Sequence, residues 1–366
     1  MPYKPGVYIH IPFCKARCNY CAFVSSTDFS YMQSYVDALC GEIKSCKPKD
    51  NRIDTVYIGG GTPSCLYRGA LKRIFDELRA VFDIDTNSEI TVEANPESCD
   101  EAFVEEAVSC GVNRISMGLQ SACDGTLKAI GRLHDVKGFV DAVRLVKSHG
   151  IDNISSDIII GLPGQTEGDV KTAIRLACEH CDHISVYGLT VEEGTPLYNS
   201  GYTPDDDNVA DLYDIARGAL DKLGFKRYEV SNFARNGRIS RHNSKYWWLI
   251  PYYAFGAGAH GYDGERIRYR HSESVAEYIA KRKIYKEKLS DKDVYNEYVI
   301  LALRTERGIC YDDFAERFGK IFGEKIFEMA DNLVKQGYLL HSDGYLRIPP
   351  SRMYVMNSII RDLMLD

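Results

Sequence analysis

The sequence lacks long hydrophobic runs and has no excess of positive charge. No apolar stretch approaches the ~18 residues that a membrane-spanning helix needs, and residues 1–19 lack the continuous apolar segment of a signal peptide. We therefore expect a cytoplasmic protein. The net charge of -7 gives no long-range attraction to phosphate backbones, which disfavours nucleic acid as a partner and favours small molecules or proteins.

The sequence also gives no indication of disulfides, internal repeats or low-complexity segments. A cytoplasmic chain keeps its thiols reduced, so the twelve cysteines indicate metal binding or buried packing rather than crosslinks. Most of them are scattered along the chain, as expected of small buried hydrophobic residues. Only Cys14, Cys18 and Cys21 form a tight group.

What the 366 residues do contain is a repeated alternation of short β-rich runs with helical segments. The predicted strands are Val7–Ile11, Thr55–Ile58, Glu89–Glu93, Arg114–Met117, Ile154–Ile160 and Ile184–Tyr187, with Arg227–Val230 joining them. The predicted helices between them include Ser34–Lys44, Ala70–Val81, Glu101–Ser109, Lys137–Ser148 and Val209–Leu223. Such βα units form either a doubly wound sheet or a barrel, and in both the functional side chains gather where strands end.

The region from about residue 294 onward has a different pattern. Helices are predicted at Tyr295–Leu303, Tyr311–Phe318 and Ile326–Gln336, followed by a hairpin of Tyr338–Leu340 and Tyr345–Ile348. Three helices and a β wing are typical of a winged-helix module. Glu328, Asp331 and Asp343 provide no basic recognition face, which disfavours DNA binding.

The chemistry is concentrated directly after the first strand, in a CxxxCxxC loop formed by Cys14, Cys18 and Cys21. Three thiolates held this closely can bind three irons of a 4Fe-4S cubane and leave the fourth iron without a protein ligand. An exchangeable position on a metal distinguishes a reactive site from a structural one. Tetrahedral zinc is the alternative, but neither a second CxxC nor a histidine pair follows within the next twenty residues.

This motif, with the aromatic Tyr20 before its last cysteine, resembles the signature of the radical-SAM superfamily. Its lead-in, Tyr-Ile-His-Ile-Pro-Phe-Cys at residues 8–14, is similar to the oxygen-independent coproporphyrinogen oxidase (HemN) branch. The resemblance implies a partial (β/α)6 TIM-like barrel with a winged-helix-like C-terminal domain, in which S-adenosylmethionine (SAM) binds the open iron. We predict a barrel over residues 1–235, a connecting region completing the core over 236–290, and the C-terminal domain over 291–366.

The remaining strand ends suit a SAM pocket. After the second strand comes Gly59-Gly60-Gly61-Thr62-Pro63, where absent side chains would let a ligand approach backbone amides. Glu93 ends the third strand with a carboxylate able to accept hydrogen bonds from both ribose hydroxyls. By resemblance, the other SAM-binding residues are Tyr8 beside the cluster, Gln120, Arg132 and Asp157. Whether a second SAM binds is open.

Two departures point away from the oxidase: Ala22-Phe23 follow Cys21 where a further cysteine is expected, and only thirteen residues precede Cys14. The HNxxYW motif at residues 242–247 and the glycine-rich run at residues 256–261 resemble the heme-chaperone branch of the family. This resemblance implies heme binding and delivery to a membrane-bound respiratory hemoprotein. His242 is the first candidate for the heme ligand, and His10, His134 and His260 compete with it.

The sequence leaves two other functions open. The chain could be the oxidase itself, which decarboxylates two propionates of coproporphyrinogen III, or a radical-SAM enzyme that opens the heme macrocycle. A homodimer is possible, although no residue pattern indicates one.

Overall fold

The computed structural model describes residues 4–365, and that range contains fifteen strands and fourteen α-helices, which alternate most regularly over β1 to β6. The strands are β1 (Gly6–Ile11), β2 (Arg52–Gly60), β3 (Asp83–Ala94), β4 (Arg114–Gln120), β5 (Asn153–Ile160), β6 (His183–Gly188), β7 (Lys226–Arg227), β8 (Asn232–Ala234), β9 (Tyr252–Phe255), β10 (His260–Tyr262), β11 (Ile267–His271), β12 (Ile284–Lys288), β13 (Ile309–Cys310), β14 (Leu340–Ser342) and β15 (Tyr345–Arg347). The helices are α1 (Met32–Ser45), α2 (Ala70–Val81), α3 (Glu101–Ser109), α4 (Asp124–Ala129), α5 (Val136–Ser148), α6 (Glu167–His180), α7 (Pro196–Asn199), α8 (Asp206–Lys222), α9 (Arg241–Trp247), α10 (Val275–Lys281), α11 (Asp291–Ala302), α12 (Tyr311–Phe318), α13 (Lys320–Lys335) and α14 (Met356–Arg361).

Six parallel strands, β1 to β6, lie side by side in chain order at the centre of a 12-stranded sheet. Helices connect successive strands, as parallel pairing requires. Buried Ile154 and Ile158 of β5 pack in the main hydrophobic core, while Ser155 and Asp157, which alternate with them, line an internal cavity, so each strand has one apolar face and one face toward the barrel interior. The predicted α/β fold with six βα units is confirmed.

Both margins of this sheet were less well predicted. Strand β9 adds beside β1 in parallel, and β10, β11 and β12 extend that margin antiparallel. The predicted strand Arg227–Val230 is wrong beyond its first residue, since β7 ends at Arg227. The chain turns there because the Glu229 carboxylate accepts the amide of Ser231 at 3.0 Å, and β8 then runs antiparallel to β6.

Helix starts follow local capping rules. Thr166 and Asp169 form a capping box at α6, and Ser290 and Asp293 form another at α11. The Ser240 side chain accepts the amide of Asn243 at the start of α9. These caps fix where each connecting helix begins and so where the preceding loop must end.

The C-terminal region forms the predicted three helices, α11 to α13, with a small sheet of order β13-β15-β14. The first strand of the predicted hairpin is displaced by two residues. The amides of Tyr338 and Leu339 donate to the carbonyl of Leu333 at 2.8 and 3.2 Å and complete the end of α13, so pairing starts only at Leu340. The domain division at residues 235 and 290 stays a prediction. None of the helices that residues 4–365 form is long and apolar enough to cross a membrane.

Candidate functional site

The cysteine loop follows the carboxyl end of β1 and is held to the protein by short backbone contacts. The amide of Cys14 donates to the carbonyl of Ser26 at 3.0 Å, and the amide of Ser26 donates to the carbonyl of Pro12 at 2.7 Å. Cys14, Cys18 and Cys21 are each partly exposed, and all three line one cavity. The loop therefore presents three thiols to a common space.

The spacing of these thiols suits an iron-sulfur cluster better than a single ion. Sulfurs around one tetrahedral zinc lie about 3.8 Å apart, given Zn–S bonds of about 2.3 Å. In the part of the chain that the structure describes, the three cysteine sulfurs do not all lie within 4.8 Å of one another. In a cubane each thiolate binds a different iron, which allows the wider spacing.

A hydrogen-bond network connects two of the three sulfurs. The Thr62 hydroxyl donates to Cys14 Sγ at 3.3 Å, and Arg132 Nη1 lies 3.7 Å from Cys18 Sγ. Asn95 joins the two donors: its Nδ2 donates to Thr62 Oγ1 at 3.0 Å, and its Oδ1 accepts from Arg132 Nη2 at 2.9 Å. Such donors stabilise negative charge on cluster sulfurs. Sequence reasoning missed Asn95, whose only indication was its position two residues after Glu93.

Burial raises the pKa of the Cys14 thiol to about 11. A cation that binds there must therefore displace the thiol proton, as metal binding to cysteine generally does.

The cavity below the cysteine loop has a volume of about 480 Å³, within the range of small-molecule sites. It lies at the carboxyl ends of the parallel strands, where this architecture places ligands. Most of the residues predicted to contact SAM line it: Tyr20, Gly60, Gly61, Thr62, Glu93, Gln120, Arg132 and Asp157. Tyr8 does not line the cavity. Its hydroxyl lies 3.0 Å from Nδ1 of His10, and its ring stacks on Tyr57, which does line the cavity.

The glycine run after β2 packs tightly against its own protein neighbours. The Gly60 amide donates to Glu93 Oε2 at 3.0 Å, and the Gly61 amide donates to the carbonyl of Ile11 at 2.8 Å. A Cβ at Gly60 would lie 2.4 Å from the His10 ring, and one at Gly61 would lie 2.8 Å from that carbonyl. The glycines are therefore required for the close approach of β2 to the cysteine loop, and these two amides already have protein acceptors.

Two carboxylates face the cavity floor. Burial and the nearby charge of Asp157 raise the pKa of Glu93 to about 7, although the Tyr57 hydroxyl donates to its Oε1 at 2.6 Å. Burial likewise raises the pKa of Asp157. Placing two acids in one poorly solvated space is unfavourable without a ligand, and it is typical of a binding site.

Gln120 has a strained backbone. Its φ is +65°, a left-handed conformation that residues other than glycine seldom adopt. The β4–β5 pairing shifts register between Gly118 and Gln120. A Cβ at Gly118 would lie 2.5 Å from Nε2 of the Gln120 side chain. The bulge and the absence of a side chain at Gly118 together allow the Gln120 side chain to enter the cavity. Strain of this kind concentrates at functional sites.

Further polar residues on the cavity floor were not predicted from the sequence. Arg114 is almost fully buried and donates to Asn153 Oδ1 and to the carbonyl of Arg238, both at 3.1 Å. His183, also buried, bonds with Ser155 and Tyr228, each at 2.7 Å. A charged residue that opens a strand looks solvent-exposed in the sequence, and only the assembled barrel places it inside.

The HNxxYW motif lies on α9, at the opposite end of the parallel strands from the cysteine loop. His242 is fully buried, with Nδ1 2.9 Å from the Thr55 hydroxyl and Nε2 2.8 Å from the Tyr246 hydroxyl. Thr55 and Glu89 each lie five residues before the carboxyl end of their strands, β2 and β3, and the Glu89 carboxylate accepts the His242 amide at 2.9 Å. Both ring nitrogens are already bonded, so this geometry argues against the predicted role of His242 as heme ligand.

The competing histidines differ in accessibility. His10 is buried, with Nδ1 near Tyr8 and Nε2 2.9 Å from the carbonyl of Val24, and His134 is buried beside Glu97. His260 is exposed. It begins β10 close to the cysteine loop, since a Cβ at the neighbouring Gly258 would lie 2.9 Å from the Val24 side chain.

The sheet, the three-cysteine loop and the cavity at the strand ends define a radical-SAM protein. The family model described as "Radical SAM superfamily" matches residues 8–177, and "HemN C-terminal domain" matches residues 289–354. The solved structure of the Escherichia coli coproporphyrinogen III oxidase HemN, described as a radical SAM enzyme, superposes with a TM-score of 0.85 at 18% identity, covering 100% of this chain and 91% of that one. Membership of the superfamily implies a 4Fe-4S cluster and SAM.

Within this class the chain belongs to the HemW heme-chaperone family. It is 34% identical to the heme chaperone HemW of Lactococcus lactis over 99% of this chain and 98% of that protein. It is also 34% identical to the HemW of Bacillus subtilis over 93% of each chain. The family resemblance inferred from the HNxxYW motif is confirmed.

Proposed function

We propose that this protein is a heme chaperone that binds heme and delivers it to a membrane-bound respiratory hemoprotein. The observation that carries the proposal is the match to heme chaperones over nearly the whole chain. The similarity to HemN at 18% identity concerns the fold alone. Reduced thiols and an iron-sulfur cluster suit a cytoplasmic location.

In this proposal Cys14, Cys18 and Cys21 would hold the 4Fe-4S cluster, and SAM would bind the iron that has no protein ligand. Glu93 accepts the ribose hydroxyls. Arg132 adds positive charge beside Cys18, and Tyr20, Gly60, Gly61, Thr62, Gln120 and Asp157 form the rest of the wall. A reduced cluster would supply the electron that splits bound SAM into methionine and a 5'-deoxyadenosyl radical, and the residues around the cavity would orient the ligand and limit the access of water.

For heme we favour the surface around His260 over that around His242. His260 pairs with Arg270 across β10 and β11, and Arg270 pairs with Tyr285 across β11 and β12, so the three side chains share one face. The Arg270 guanidinium and the Lys283 ammonium lie 4.7 and 4.5 Å from the centroid of the exposed Tyr285 ring. An accessible imidazole and the two cations beside Tyr285 match the iron and the propionates of heme.

An anaerobic hemin titration of wild type, His260→Ala and His341→Ala tests the proposal. His341 is the control because it is also exposed but lies on β14 in the C-terminal region. We expect a saturable one-to-one complex whose affinity falls at least tenfold in His260→Ala and stays within twofold in His341→Ala. A wild type that shows no saturable complex would contradict the proposed function, and an unaffected His260→Ala would contradict only the ligand.

A separate assay distinguishes the alternative enzymes. Protein with a reduced cluster is incubated anaerobically with SAM and either coproporphyrinogen III or heme. Formation of protoporphyrinogen would favour the oxidase, and an opened tetrapyrrole would favour heme cleavage. The chaperone proposal predicts neither product.

A further inference from the structure

We propose that His242 and Tyr246 of the HNxxYW motif are positioning residues for SAM: they hold Tyr57 so that its hydroxyl fixes the carboxylate of Glu93. This inference rests on the proposed role of Glu93 as the ribose acceptor. It gives the motif a role in SAM binding in place of heme ligation.

Helix α9 contacts β2 through stacked side-chain rings. The His242 ring stacks on the Tyr57 ring, with centroids 5.3 Å apart and planes inclined by 28°. The Tyr246 ring lies perpendicular to the imidazole, with centroids 5.2 Å apart, and its hydroxyl bonds Nε2. His242 is therefore fixed by two aromatic neighbours, and losing it would remove one of the two rings stacked on Tyr57, the other being Tyr8.

His242 is held in one orientation. Thr55 and Tyr246 bond its two ring nitrogens, and Glu89 accepts the first amides of α9, those of Arg241 and His242, at 3.0 and 2.9 Å. Burial lowers the pKa of His242 to about 3. A neutral imidazole has one donor and one acceptor nitrogen, which two hydroxyl partners can satisfy together.

Tyr57 connects this packing to the cavity. Its hydroxyl donates to Glu93 Oε1 at 2.6 Å, while the Gly60 amide donates to Oε2 at 3.0 Å. A Cβ at Gly59 would lie 2.6 Å from the Glu93 carboxyl carbon and 2.7 Å from the Tyr57 ring. Glu93 thus has little room to move, and its orientation depends on where the Tyr57 hydroxyl lies.

The test is SAM affinity, measured by equilibrium dialysis on anaerobic protein with an oxidised, reconstituted cluster. We expect His242→Ala to bind SAM at least fivefold more weakly than wild type, with hemin affinity unchanged within twofold. Tyr246→Phe, which removes one hydrogen bond without leaving a cavity, should weaken SAM binding less and in the same direction. It keeps the proposal testable if His242→Ala does not fold.

A matched control separates positioning from general loss of packing. His271 is equally buried and doubly bonded, to Glu42 and to the carbonyl of Ala259, but it lies on β11. His271→Ala should lower the melting temperature and leave SAM affinity unchanged. If it weakens SAM binding as much as His242→Ala does, the positioning role is overturned.

A double-mutant cycle tests whether the effect passes through Tyr57. Tyr57→Phe removes the hydroxyl that reaches Glu93, so adding His242→Ala to it should cost little further SAM affinity. Additive losses would contradict the proposal. Glu93→Ala identifies the other kind of failure: if SAM affinity survives its loss, the proposed ribose acceptor itself is wrong.

Discussion

At the residue scale, the protonation of Glu93 controls how many acceptors the cavity offers. With its pKa raised to about 7, the carboxyl is protonated below neutral pH and charged above it. A protonated carboxyl loses acceptor capacity toward ribose hydroxyls, so we expect SAM affinity to rise as the pH increases from 6 to 8. The titratable groups that face it are Tyr57, Asp157, Tyr8, Tyr187 and Tyr246.

The measurement is SAM binding across this pH range for wild type and Glu93→Gln, both with an oxidised cluster. The amide cannot titrate, so the variant should bind more weakly at pH 8 and lose the part of the pH dependence that belongs to Glu93. The SAM amino group titrates equally in both proteins and cancels in the comparison. An identical pH dependence in the two proteins would contradict the assignment.

The same scale shows which site residues the sequence could predict. Cys14, Glu93 and Asp157 belong to or follow parallel strands, and strand ends converge whatever the details of packing. The contacts of His242 could not be predicted, because its partner Thr55 is 187 residues away. In the sequence, a histidine followed within six residues by two tryptophans resembles a ligand-binding motif. Only the structure shows that this histidine is buried.

At the element scale, the carboxyl end of β2 sets the position of the cysteine loop. Gly61→Ala would place a Cβ 2.8 Å from the carbonyl oxygen of Ile11 and 2.9 Å from the backbone nitrogen of Phe13. Backbone atoms can relieve such a contact only if the chain shifts, so we expect the free energy of unfolding to fall by about 1 to 3 kcal/mol. Less iron per chain should also remain after reconstitution, because the loop that begins after Phe13 must shift.

Gly218→Ala is the control for that experiment. Gly218 lies within α8, and a Cβ there meets nothing within 4 Å. Alanine in an open helical position should raise the free energy of unfolding by about 0.5 to 1 kcal/mol and leave the iron content unchanged. Equal iron content in both variants would show that Gly61 does not position the loop.

The elements also differ in how well they could be predicted. In strands β1 to β6 buried Val and Ile residues alternate with residues that line the cavity, and that period of two is a local pattern. Strands β10 to β12 mix charged and aromatic residues; β12 is exposed throughout. Such strands are defined by their pairing partners, which the pattern of one segment does not specify.

At the scale of the whole molecule, the C-terminal helices share a hydrophobic core with the margin of the large sheet. Leu249 and Tyr262 belong to the same buried cluster as Tyr298 of α11. Arg268 of β11 pairs with Glu297 of α11. We therefore expect the sheet and the C-terminal region to unfold as one cooperative unit.

Ligand binding at the cysteine loop tests this cooperativity, because a ligand stabilises every element that unfolds with its site. At a free SAM concentration of one hundred times the dissociation constant, the linkage amounts to about 2.7 kcal/mol. The most protected amides of α11 and α13 should then exchange about a hundredfold more slowly under conditions where global unfolding limits exchange. Glu93→Ala, tested at the same SAM concentration, should show a smaller effect. If SAM slows exchange in β1 to β6 and leaves α11 and α13 unchanged, the C-terminal region unfolds independently and the shared core does not couple the two.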